Sequence, residues 1–213
     1  MENEPHASLG PLLFLLGRWE GAGVGGYPTI EGFRFGQEIS FSHNGKPYLI
    51  YSSRTWLLDD AGNIGRPLAM ESGFWRPQPG NQLEVLLAHP TGFVEVYLGE
   101  ISGTKIEMAT DAVVRTSSAK EVTAGRRLYG MIQADLGYAY EMAAVGQPLQ
   151  AHLSAQLKRA GSADDTGAGG TGGERAGGDG GGAGGTGDER AGGDGVSPGS
   201  AASEGAGGDG GTG

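Results

Sequence analysis

"FRFGQEISFSH", Phe33 to His43, decides how this chain is read. Phe33, Phe35, Ile39 and Phe41 fall on one face at period two. Alternation of that kind marks a half-buried β-strand, because successive side chains of a strand point to opposite sides. The pattern returns along the chain. "LEVLLAH" aligns Leu83, Val85 and Leu87, and "VEVYLGEI" aligns Val94, Val96 and Leu98. "KIEMAT" pairs Ile106 with Met108, and "LGYAYEMA" aligns Leu136, Tyr138, Tyr140 and Met142. Turn-forming stretches separate these runs: "HNGKP", "DDAGNIG", "QPGNQ", "HPTG", "SGTK" and "VGQP". A short helix is expected only in "SLGPLLFLLGRW", near the start. Many evenly spaced strands with short connections and no strand–helix alternation predict an all-β antiparallel barrel or sandwich. Periodicity does not choose between the two.

Composition divides the chain. Residues 161–213 hold 24 of the 44 glycines, nine acidic residues and two arginines, with no aromatic residue. Such a segment buries too little apolar surface to offset the entropy of ordering, so a disordered tail is expected. "GGTGGERAGGDG" at Gly169–Gly180 returns as "GGTGDERAGGDG" at Gly184–Gly195. The nine-residue period and regular apolar positions of calcium-binding β-helix repeats are missing, which leaves a low-complexity linker-like reading. Residues 1–160 are long enough for one domain with a real core.

Of the net charge of −10, −7 belongs to the tail and −3 to the rest. Neither part has the basic surface that nucleic acid requires, so no nucleic-acid partner is expected. With no cysteine, disulfides, thiolate metal sites and cysteine nucleophiles are excluded. "PLLFLL" is too short for a signal-peptide core or a membrane span, which gives the expectation of a cytoplasmic protein with no membrane partner.

Four histidines supply the imidazole chemistry: His6, His43, His89 and His152. The first three lie in a polar N-terminal segment, at a turn and at a strand end. His152 sits inside the final strand. Alternation puts it with Gln150, Ser154 and Gln156, on what reads as the solvent face, although a barrel with a polar lumen reverses that reading. "HExxH", "GxSxG" and a phosphate loop are absent. Glu20, Glu31, Glu38 and Glu71 form no obvious acid–base pair. A single imidazole is enough to hold a haem iron if a large apolar pocket surrounds it. Phe33, Phe35, Tyr48, Phe74, Tyr138, Tyr140 and Met142 are candidates to line one.

A more specific pattern is "GRWEGAG", Gly17 to Gly23, a G-x-W-x-G-x-G motif with "YPTI" close behind. Together with "MESGFWR", "AHPTGFVEVYLGEI", "KEVTAGRRLYG" and "MAAVGQPLQAHLSAQL", it resembles the nitrobindin family from about Leu12 to Arg159. The resemblance implies a ten-stranded antiparallel barrel similar to fatty-acid-binding proteins, carrying haem b in one mouth. It implies His152 of "QPLQAHL" as the axial ligand of the haem iron and Thr29 of "YPTI" as a haem contact. Arg127 is a further candidate at the haem periphery, where a cation pairs with a propionate. Gly17, Trp19, Gly21 and Gly23 read as structural. The glycines permit close packing at the start of the first strand, and Trp19 plugs the barrel bottom. Where many relatives carry a distal histidine, "RPLAMESG" has Ala69, so a more apolar distal side is expected.

The activity implied is isomerisation of peroxynitrite to nitrate on ferric haem, with nitric oxide as a further small ligand and a homodimer as an assembly seen in the family. The competing reading is a fatty-acid-like barrel that binds an apolar ligand without haem.

Overall fold

The computed structural model describes residues 4–161. The glycine-rich tail and its internal duplication lie outside the described residues. A 3₁₀ helix, Ala7–Leu15, comes first and is followed by ten antiparallel strands. These are β1 (Gly17–Tyr27), β2 (Ile30–Ser42), β3 (Leu49–Leu58), β4 (Ile64–Pro77), β5 (Gln82–His89), β6 (Phe93–Ser102), β7 (Lys105–Arg115), β8 (Val122–Ile132), β9 (Asp135–Ala144) and β10 (Gln150–Arg159). Each strand pairs with its neighbours in sequence, and β1 also pairs with β10, so the sheet closes on itself. Closure removes the exposed edges that an open sheet would have to protect.

The lumen-facing residues of β1 are Trp19, Gly21, Gly23 and Gly25, opposite Ile39, Gln37, Phe35 and Phe33 of β2. Here the glycines serve close approach. A Cβ on Gly23 would lie 2.4 Å from the Ser154 carbonyl oxygen and 2.5 Å from Phe35 Cζ. A Cβ on Gly25 would lie 2.5 Å from Phe33 Cζ. The missing side chains let the phenylalanines of β2 lie across β1, so the glycine motif and the alternation of β2 are one packing device.

The first helix closes one end. Leu9, Leu12 and Leu15 are completely buried, and Trp19 beneath them is too. The Trp19 indole N–H donates to the Leu15 carbonyl at 2.7 Å. Arg159, the last residue of β10, lays its guanidinium 4.2 Å from the Trp19 ring and donates to the Phe14 and Leu16 carbonyls. Trp19 is therefore the plug that the motif suggested. The opposite end is rimmed by the turns β1–β2, β3–β4, β5–β6, β7–β8 and β9–β10, and no helix among the described residues covers it.

Two expectations fail. In β6 the lumen takes Glu95, Tyr97 and Ile101, while Val94 and Leu98 are 44% and 50% exposed. The more apolar parity lies outside because Glu95 has buried partners that a hydrophobicity pattern does not register. Tyr48 and Phe74 do not line the lumen either. They pack edge-on against each other, and Phe74 is 46% exposed.

Candidate functional site

At the open end the wall itself is interrupted. The β1–β10 ladder runs from Trp19↔Arg159 to Gly25↔Leu153 and then stops. Next to that point both strands are irregular. β1 shifts register between Gly25 and Tyr27, and β10 shifts between Ala151 and Leu153 against β9. His152 is the extra residue in the β10 bulge. A bulge re-aims a side chain by breaking strict alternation. Leu153 pairs with the inward-facing Tyr140 and Gln150 with the inward-facing Met142, so the strand changes phase at His152. The imidazole thereby leaves the solvent face that simple parity gave it. It lies edge-on to Tyr27 at 5.5 Å and to Tyr140 at 5.8 Å.

His152 Nδ1 sits 3.0 Å from the Gly26 carbonyl oxygen. A carbonyl oxygen only accepts, so Nδ1 carries the proton and Nε2 keeps its lone pair. No hydrogen-bond partner takes Nε2 among the described residues. Burial lowers the His152 pKa from 6.5, opposed by the Gly26 hydrogen bond and reinforced by the Arg127 charge. A neutral, oriented imidazole with one free lone pair is what an axial ligand requires. Tyr27 holds this geometry. Its hydroxyl accepts from the Ala144 N–H at 2.9 Å and donates toward the Met142 carbonyl at 3.1 Å. The hairpin end that presents Gly26 is thus tied to β9.

Beyond the two tyrosine rings, further apolar side chains pack on the two core clusters. Phe33, Leu68, Met142 and Leu153 are half-buried against the main core, and Phe93 and Val113 pack on a smaller cluster of Tyr27, Val122 and Ala144. Thr29 stands exposed in the β1–β2 turn, two residues beyond Tyr27. Ala69 lies exposed on β4, where the register against β3 shifts between Arg54 and Trp56. Its backbone N–H donates to Thr55 Oγ1, whose hydroxyl donates back to its carbonyl. The donor set and the apolar rim fit a haem entering this mouth.

Below the mouth lies a cluster that sequence reading missed. Arg127 is 3% exposed. Its Nη1 and Nη2 donate to the two Glu71 oxygens at 2.7 and 2.8 Å, and Nη2 reaches Glu95 at 3.3 Å. Its Nε donates to the Tyr97 hydroxyl at 3.0 Å, which itself donates to Glu95 at 2.8 Å. Tyr51 donates to Glu71 at 2.6 Å, and His89 Nε2 donates to Glu95 at 2.9 Å. Burial by itself would raise the Glu71 pKa. The Arg127 charge and hydrogen bonds, helped by His89 and Tyr51, outweigh it and hold the group at about 2. Arg127 therefore sits in the lumen with its fork engaged by two carboxylates, not at the periphery awaiting a propionate. Gly125, two residues before it, makes room, since a Cβ there would lie 2.6 Å from the Tyr97 hydroxyl. The sequence signal was parity: Glu71, Glu95 and Arg127 share the face of their strands with the buried Trp75, Tyr97 and Tyr129.

Deeper still, Trp19, Trp75, Tyr51, Tyr129, Phe35 and Phe41 fill the barrel, each at most 2% exposed. A groove of about 690 Å³ lies on the outside of the wall, bordered by Val24, Leu128 and Ile132. No helix among the described residues is long and apolar enough to cross a membrane.

A closed ten-stranded barrel, plugged at one end and open at the other around one oriented imidazole, defines a class of small haem-binding β-barrels. Residues 8–159 match the model of the THAP4-like, heme-binding β-barrel domain, and the chain belongs to that family. It is 56% identical over 154 residues to a peroxynitrite isomerase of a Nocardioides species, covering 72% of this chain and 94% of that protein. It is 48% identical over 167 residues to a ferric nitrobindin-like protein of Kineococcus radiotolerans, covering 71% and 93%. Among solved structures it is similar to Rv2717c from M. tuberculosis, with a TM-score of 0.67 and 40% identity over 73% of this chain and 99% of that one.

Proposed function

We propose that the barrel binds haem b through His152 and isomerises peroxynitrite to nitrate. The observation that carries this reading is the His152 pair: Nδ1–H held by the Gly26 carbonyl, Nε2 free in an apolar mouth. The names of the similar proteins point the same way. Ferric haem bound there supplies the metal centre at which the O–O bond of peroxynitrite is rearranged, with no net gain or loss of atoms.

The chain's own residues do the rest. His152 offers Nε2 as the axial donor, and its tautomer is fixed before any ligand arrives. Tyr27 and Tyr140 restrict the ring from both sides. Phe33, Leu68, Met142 and Leu153 present apolar surface to the macrocycle. Thr29, at the exposed turn, would contact the haem. Ala69 would bring no imidazole from β4 to a bound haem. The Glu71–Arg127–Glu95 cluster would close the lumen beneath a bound haem. An open mouth also suits binding of nitric oxide to the ferrous form. The haem module ends near residue 160.

The test is an absorbance spectrum before and after hemin addition, followed by stopped-flow nitrate formation. Wild type is expected to develop a Soret band and turn peroxynitrite over. His152→Ala is expected to lose both. A variant with normal spectrum and turnover would refute the assignment, and no Soret band in wild type would refute the haem reading.

A further inference from the structure

Five tyrosines face the lumen, Tyr51, Tyr97, Tyr129, Tyr138 and Tyr140, each less than 8% exposed. Isomerisation consumes no electrons and uses none of their hydroxyls. Two tyrosine rings touch the His152 ring: Tyr27 and Tyr140, both edge-on. They differ in what their hydroxyls face. The Tyr27 hydroxyl accepts from the Ala144 N–H and points at the Met142 and Ala144 carbonyls. Backbone carbonyls are too weakly basic to take its proton. The Tyr140 hydroxyl points at Glu95 Oε1 at 3.5 Å. The Glu95 side chain is wholly buried and carries an ionised partner, Arg127.

A phenol yields an electron readily only when its proton leaves at the same time. The Arg127 guanidinium lies 4.4 Å from the centre of the Tyr140 ring. A cation so close disfavours a positively charged ring, so the accessible oxidised form is the neutral one that has lost its proton.

We propose that Tyr140 is a redox-active tyrosine that donates an electron to the oxidised haem through the His152 ring and its phenolic proton to Glu95. The oxidant is a peroxide, which takes two electrons from the haem protein. Tyr140 returns one of them. Its O–H bond breaks, the electron passes to the haem, and the proton converts the Glu95 carboxylate to the acid. A neutral tyrosyl radical remains. The route leads an oxidising equivalent away from the mouth into the barrel, where Tyr97 also donates to Glu95. The inference rests on haem binding at His152.

Hemin-loaded protein is mixed with hydrogen peroxide, frozen and examined by electron paramagnetic resonance. Wild type is expected to give a tyrosyl signal. Tyr140→Phe, which keeps the ring and its packing, is expected to lose that signal while keeping the Soret band. Glu95→Gln leaves Tyr140 in place and removes the proton acceptor, and is expected to weaken the signal severalfold. An undiminished signal in either variant would overturn the proposal. So would a wild-type protein with a Soret band and no tyrosyl signal. No Soret band in wild type overturns the haem reading itself and the Tyr140 assignment with it.

Discussion

Arg127→Met probes the physical account of the lumen cluster. Methionine is unbranched and of similar length but uncharged. Without the guanidinium, the Glu95 side chain at 0% exposure and the Glu71 side chain at 15% face each other with no cation from β8. Removing one partner of a buried ion pair costs about 3–5 kcal/mol, because the remaining charge is stranded in a poorly polarisable medium. A second route gives a similar size. Glu71 is held at about 2 against 4.5, a depression worth roughly 3 kcal/mol of folding free energy at neutral pH. A carboxyl whose folded pKa is depressed contributes stability above its unfolded value, near 4.5, and loses it as pH falls toward about 2. In the variant the sign reverses. Uncompensated burial raises the carboxyl pKa, so the folded state binds protons more tightly than the unfolded one, and acid helps it. Urea unfolding is therefore expected to show a deficit of about 3–5 kcal/mol near pH 7 that shrinks toward about pH 5. A domain with roughly 5–15 kcal/mol of stability remains measurable after such a loss. A deficit below about 1 kcal/mol, or one that grows on acidification, would refute the reasoning.

Two further outcomes follow from the same structure. Gly23→Val puts a Cβ 2.4 Å from the Ser154 carbonyl and 2.5 Å from Phe35, so overpacking is expected to cost about 1–3 kcal/mol in thermal or urea unfolding, and an unchanged midpoint would contradict the packing account. In the haem-free barrel, the nuclear magnetic resonance titration of His152 is expected to have a midpoint below 6.5. Its contribution to stability is then present above 6.5 and lost as pH falls through the lower folded value, and a midpoint at or above 6.5 would show that burial does not dominate.

Much of the barrel was legible because a half-buried strand writes its geometry at period two. β2, β5, β7 and β9 turn inward the residues that alternation named, with Phe33 and Met142 half-buried near the mouth. The G-x-W-x-G-x-G motif was legible as structure, and Trp19 with its bond to Leu15 fills that role. β6 was misread because its buried parity carries Glu95 between a β5–β6 turn and Tyr97, and a charge counts against burial in any hydrophobicity pattern. The cluster of Glu71, His89, Glu95 and Arg127 draws on four strands. Its members are up to 56 positions apart, and nothing local in the chain pairs them.

By itself the sequence determined an antiparallel all-β domain, the absence of thiol chemistry and the short list of imidazoles. Those properties depend on residue type and local period, which a linear chain displays directly. Only the tertiary structure decided which way His152 faces and which of its nitrogens is free. That outcome depends on a one-residue bulge in β10 and on a carbonyl 126 positions away in β1. Barrel closure is the physical cause: it brings the first strand beside the last. Where their ladder ends, an imidazole takes the place of a backbone hydrogen bond.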